Sequence, residues 1–253
     1  MSSTPCSAEP RRASRVAVAF LAAVVVACSE PPPPAAARST PPPPLATLRD
    51  PATFTVCLQP LGKHDATLLA PIARGIGQAY GFDVRTLTEW PLPQSAWYEP
   101  RQRYRAEELM YHLFTETLAT EPDCTALLGI TAVDISITKG DVPDWGVFGL
   151  AYRGNRVGVV SSFRLRREAD RRRIVERAVK VVNHELGHVL GLEHRRAGAA
   201  CLMNDAGGRL ATVDAASGTL CDEERERIAA QLRLALPAAA RIDWDAIDAA
   251  DAK

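Results

Sequence analysis

His184-Glu185-Leu186-Gly187-His188-Val189-Leu190-Gly191-Leu192-Glu193-His194 is the stretch on which the chemistry and the fold of this chain turn. It holds three of the chain's five histidines. Residues four apart on a helix share a face, so His184 and His188 can turn two imidazoles toward one ion. Zinc takes such nitrogens at roughly 2.0–2.1 Å in near-tetrahedral geometry. Glu185 stands one position on, beside the ion without being forced to bind it, where a carboxylate can take a proton from water. The helix offers no third ligand on that turn. Gly191 can adopt positive φ without steric cost, so the chain can double back and bring His194 to the ion. Three protein ligands leave a fourth position for water, the arrangement of catalytic zinc. The full five-residue constellation arises by chance in on the order of 1 in 10⁵ sequences of this length, which separates it from a bare His-Glu-x-x-His.

Around this motif the patterning predicts a mixed α/β domain over residues 52–236. Apolar residues recur at helical intervals from Glu168 to Leu190, with Gly191 as the stop. Helices are also expected over Leu68–Ala79, Tyr104–Ala119 and Thr219–Leu236. Strands are expected at Phe54–Leu58, Phe82–Leu87, Leu127–Ile137, Trp145–Ala151 and Val157–Ser162, the last two around a turn at Gly154-Asn155. Residues 237–253 read as a flexible tail. The six arginines between Arg164 and Arg173 read as a solvated helix start. Trp145 and Phe148 are candidates for a substrate groove or for the core.

The N-terminus carries a different message. Arg11, Arg12 and Arg15 precede a short apolar run, Val16–Ala27, in the layout of a signal peptide over residues 1–27. The run ends Val25-Val26-Ala27-Cys28, which resembles a bacterial lipobox and makes Cys28 the candidate lipidated residue. Pro31–Pro34 and Pro41–Pro44 make residues 28–51 a stiff, extended linker. These features predict an exported bacterial lipoprotein, anchored to a membrane and facing the periplasm or the cell exterior. Four cysteines follow the anchor: Cys57, Cys124, Cys201 and Cys221. Export would permit two disulfides, whose pairing the sequence does not give. Formal charge is balanced at 30 basic and 30 acidic residues, which gives no reason to expect a nucleic-acid partner.

The extended histidine motif is the metzincin signature, and the chain resembles one branch of that clan, the archaemetzincins. Trp97-Tyr98-Glu99-Pro100-Arg101-Gln102-Arg103-Tyr104 is similar to that family's segment before its second helix. Gly129-Ile130-Thr131-Ala132-Val133-Asp134 resembles its central strand, and Val147–Ala151 with Val159–Leu165 its edge-strand region. The resemblance implies a zincin fold and a zinc metallopeptidase acting on peptides or proteins. It implies that Met203 is the Met-turn methionine beneath the histidines, and that substrate pairs with an edge strand near Val157–Ser162. It also exposes a departure. The family usually carries a second zinc on four cysteines, whereas here Arg195 follows His194 and only Cys201 and Cys221 match. A Cys201–Cys221 disulfide is the expected substitute. The alternative is a non-catalytic zinc-binding envelope lipoprotein, which would have no use for Glu185.

Overall fold

A computed structural model describes residues 54–195, 201–233, 236–238 and 241–248. The expected signal peptide, linker and Cys28 lie outside the described residues. In chain order, β1 (Thr55–Pro60) leads through a 3₁₀ turn into α1 (Leu69–Tyr80) and β2 (Asp83–Thr86). Short β3 (Trp97–Tyr98) and β4 (Arg103–Arg105) precede α2 (Ala106–His112), which continues through a π-helical turn at Leu113–Thr117 into α3 (Leu118–Thr120). Five strands follow: β5 (Ala126–Thr131), β6 (Ile135–Lys139), β7 (Val142–Val147), β8 (Gly149–Ala151) and β9 (Val157–Ser161). The remaining elements are α4 (Arg171–Val189), α5 (Leu210–Ala215), α6 (Asp222–Leu232) and α7 (Trp244–Asp248).

The strands form two mixed sheets. The larger has the order β2-β1-β5-β9-β8, and the smaller β3-β4-β6-β7. β2, β1, β5 and β9 run parallel, while β8 returns antiparallel to β9. Parallel strands covered on both faces are apolar throughout, and every residue of β5 and β9 is buried. Alternate side chains then feed two cores. Val56, Leu58, Leu128 and Val160 pack with α1 and α4, whereas Cys57, Leu127, Val157 and Val159 pack with Leu109 and Leu113. Helices α1 and α4 touch closely because residue 75 is glycine. A Cβ there would run into the Val179 side chain.

Two strand expectations are corrected. Leu127–Ile137 is not one strand, because the chain turns at Ala132–Asp134 and puts β5 and β6 into different sheets. Polar groups hold that turn: the Thr131 hydroxyl donates to the Leu61 and Lys63 carbonyls, and Arg164 grips Asp134 at 2.7 Å. Trp145–Ala151 divides in the same way into β7 and β8. The C-terminal segment also departs from a loose tail. Ile242 and Ile247 are buried, and Arg74 donates to the Ile247 carbonyl, so residues 241–248 cover part of the α1–α4 core. The amphipathic pattern of five helical residues is too short to be read from sequence. α4 begins three residues later than expected, because Asp170 is its N-cap and accepts from the Arg173 N–H at 2.8 Å.

Candidate active site

α4 aims its polar face into a cleft of about 420 Å³ lined from below by Lys180, Val181, His184, Glu185 and His188. The helix ends with the bonding of a Schellman turn: the Gly191 N–H reaches His188 O and the Leu192 N–H reaches Gly187 O, both at 2.9 Å. Gly191 has φ +96°, a conformation that only glycine adopts cheaply. That turn swings His194 back over the helix. Its Nε2 lies 3.1 Å from Nε2 of His184 and 3.0 Å from Nε2 of His188.

The opposite nitrogens explain why the two helix histidines point inward. Nδ1 of His184 bonds the Leu202 carbonyl at 2.8 Å, and Nδ1 of His188 bonds the Leu192 carbonyl at 2.9 Å. A carbonyl can only accept, so each Nδ1 carries the proton and each Nε2 presents a lone pair. Ring-nitrogen lone pairs at 3.0–3.1 Å repel unless a cation or proton lies between them. Tetrahedral zinc at roughly 2.05 Å sets neighbouring ligands about 3.3 Å apart, so the donor set fits such an ion. Burial, then the nearby His188, holds the His184 pKa down to about 3. Burial also lowers that of His188. Neutral imidazole is the ligating form.

Glu185 is buried beside this cluster, and burial pushes its carboxyl up to about 8. It lies against Gly149 of β8, where an added Cβ would stand 2.7 Å from Oε1. Met203 is fully buried under the helix. A Cβ on Gly187 would overlap its sulfur, so glycine lets the methionine sit directly beneath the histidine turn. The Met203 segment is tied three ways. The Arg195 N–H bonds its carbonyl at 2.8 Å, its own N–H bonds the buried Glu224 carboxylate at 3.2 Å, and Cys201 is disulfide-bonded to Cys221 with Cα atoms 5.6 Å apart. Glu224 also accepts from the Cys221 N–H at 2.9 Å, closing a capping box at the start of α6. A second disulfide joins Cys57 to Cys124.

The structure thus brings His184, Glu185, His188, His194 and Met203 together. Trp145 and Phe148 both line the cleft. The expected substrate strand is corrected: β9 lies between β5 and β8, with both neighbours hydrogen-bonded, so Val157–Ser162 offers no edge. The edge is β8, which lies in the Val147–Ala151 stretch whose resemblance pointed to an edge-strand region and within the expected strand Trp145–Ala151. Glu224 and Lys180 escaped the sequence analysis as site residues. The spacing of Cys221 and Glu224 carried a signal for one of them, an N-cap followed three residues later by glutamate. Five of the six arginines in the basic run pair with carboxylates, Arg164 with Asp134, Arg166 with Asp65, Arg167 with Glu168, Arg172 with Glu176 and Arg173 with Asp214, while Arg171 donates to Thr67. His64 and His112 lie elsewhere, against Gly62 O and Trp90.

The family model of peptidase family M54 matches residues 91–230, more than half of the chain and all of the site just described. An archaemetzincin of Halobacterium salinarum is 34% identical over 147 residues, spanning 55% of this chain and 80% of that protein. The chain belongs to the archaemetzincin family. Solved archaemetzincin structures agree. That of Archaeoglobus fulgidus, complexed with malonate, is 28% identical with a TM-score of 0.58 and covers 69% of this chain and 99% of its own. That of Methanopyrus kandleri is 26% identical with a TM-score of 0.61, covering 74% and 99%. The fold is therefore zincin-like, and this archaemetzincin is a zinc metallopeptidase.

Proposed function

We propose that this archaemetzincin hydrolyses peptide bonds with one zinc ion held by Nε2 of His184, His188 and His194, and with Glu185 as general base. The observation that carries this is the meeting of three ring nitrogens, two of which have their opposite nitrogen committed to a main-chain carbonyl. Zinc bound there supplies Lewis acidity, polarising the scissile carbonyl and lowering the pKa of water. Glu185 takes the proton of the attacking water on a carboxylate oxygen and passes it to the departing amine nitrogen. Burial raises the proton affinity of this carboxyl above the ordinary carboxylate range, which favours capture of a proton from water. Cys201 and Cys221 bond each other and so offer no thiolate to a second zinc.

The substrate lies extended along β8. This strand ends the sheet, and an incoming strand can add to such an edge through main-chain hydrogen bonds. The missing Cβ of Gly149 keeps the gap between that edge and Glu185 narrow. A purified sample should contain one zinc per chain and cleave members of a peptide library, with cleavage abolished by chelator. Zinc bound without cleavage of any peptide would instead favour the non-catalytic zinc-binding protein.

We further propose export as a lipoprotein, with residues 1–27 removed and Cys28 lipidated. Arg11, Arg12 and Arg15, the apolar run and the Val25–Cys28 sequence support it, as do two disulfides in the catalytic domain. Incorporation of labelled fatty acid, lost in Cys28→Ala, tests it.

A further inference from the structure

We propose that Lys180 makes the part of the cleft beside the metal centre selective for a substrate side chain bearing a carboxylate. This rests on the peptidase function above and adds a specificity determinant to it.

Lys180 lies one turn before His184 on α4, so their Cβ atoms stand about 5–6 Å apart on one face. It is a wall residue of the same cleft, together with Val181, Thr212, Val213 and Ala216. Lys180 is almost wholly buried, with 7% of the residue exposed. Of its three ammonium hydrogens, one goes to the Asp214 main-chain oxygen at 2.9 Å, and the Trp244 ring centre lies 5.5 Å away. Neither contact is with an anionic group, and the Glu176 and Asp214 carboxylates act on the ammonium through space. The adjoining carboxylates are engaged by others: Asp214 holds Arg177 with two bonds of 2.7 and 2.8 Å and also meets Arg173, while Glu176 and Asp245 both pair with Arg172. Around this patch three carboxylates face the four cations Arg172, Arg173, Arg177 and Lys180. Of these four cations Lys180 is the one that lines the cleft, whose wall also carries Lys139 and Asp205. Burial lowers its pKa, as expected for an ammonium whose hydration has been removed without full replacement. A cleft-bound Asp or Glu side chain would supply the missing acceptor, and hydrogen bonds between ionised partners are roughly twice as strong as neutral ones.

The test uses matched peptides carrying Glu or Gln at the positions flanking the scissile bond, with the zinc-loaded protein and its Lys180→Met variant. Methionine keeps an unbranched stem against Trp244 and removes the charge. The wild type should favour the Glu peptide in kcat/KM by roughly 10- to 100-fold, the range given by one hydrogen bond to a charged group. Lys180→Met should bring the Glu-to-Gln ratio close to one, and Lys180→Arg should keep a preference. In the inactive Glu185→Ala protein, anisotropy of labelled peptides should show the same preference in binding. A ratio unchanged in Lys180→Met, with a native circular dichroism spectrum, overturns the inference and leaves the peptidase function intact. Failure of every peptide to be cleaved overturns that function instead. Equal binding of the two peptides to Glu185→Ala then overturns the role of Lys180 independently.

Discussion

The Glu185 carboxylate lies against the backbone of Gly149, so closely that a Cβ on the glycine would stand 2.7 Å from Oε1 and 2.9 Å from Cδ. Glu185, the proposed general base, and β8, the proposed substrate edge, are therefore fitted to each other through one missing methyl group. Gly149→Ala should push Glu185 out of place while leaving all three histidines untouched. A displacement near 1 Å in a reacting group can cost about 10²-fold. The expected result is a kcat lowered by that order with zinc content unchanged, measured by peptide cleavage and metal analysis on the same sample.

Removing the carboxylate goes further. Glu185→Ala should retain zinc and lose about 10²- to 10⁴-fold in kcat, the usual contribution of general acid–base catalysis. Substantial residual cleavage would reassign the base.

The third imidazole comes from beyond the helix, held by the Gly191 turn rather than by α4 itself. His194→Ala should leave the helix folded and weaken zinc binding. Loss of any one ligand also breaks the fit of the other two Nε2 atoms, 3.0–3.1 Å from it. Competition with a fluorescent chelator measures the affinity, and readdition of zinc should restore chelator-treated wild type but not the variant.

The Cys201–Cys221 bond closes a loop with a sequence separation of 20, for which chain-entropy arguments give about 3 kcal/mol. Leu202, next to Cys201, supplies the carbonyl that orients His184. The double variant Cys201→Ser/Cys221→Ser should therefore lower Tm and also weaken zinc binding by roughly 10-fold, as loss of an outer-shell partner does. A lower Tm with unaltered zinc affinity would separate the disulfide from the metal centre.

Asp214 gives a pH prediction. Its carboxyl lies below its ordinary pKa of 3.8, chiefly through hydrogen bonds from the Arg177 guanidinium. A depressed carboxyl stabilises the fold above the unfolded-state pKa, and that stabilisation disappears as pH falls through the lower folded value. Stability should hold at neutral pH and fall below about pH 4. Asp214→Asn should cost about 3 kcal/mol at pH 7 by leaving Arg177 buried without its anion, and should flatten the acid limb. Denaturant melts of both proteins between pH 2 and 7 measure this.

Much of this archaemetzincin was settled by local sequence. Helical spacing places His184 and His188 on one face, Gly191 supplies the turn, and unbroken apolar runs mark β5 and β9, because each of these depends on backbone geometry over a few residues. Tertiary structure decided what joins distant segments. Only packing shows that Leu127–Ile137 splits between two sheets, since apolar character continues across a turn held by Arg164 from 30 residues away. Only pairing shows that β8 rather than β9 is the edge. The contact of Gly149 with Glu185, the hold of Glu224 on Met203 and the placement of Lys180 beside Trp244 link residues between 21 and 64 positions apart. Such contacts are set by how the layers stack, and no periodicity along the chain records them.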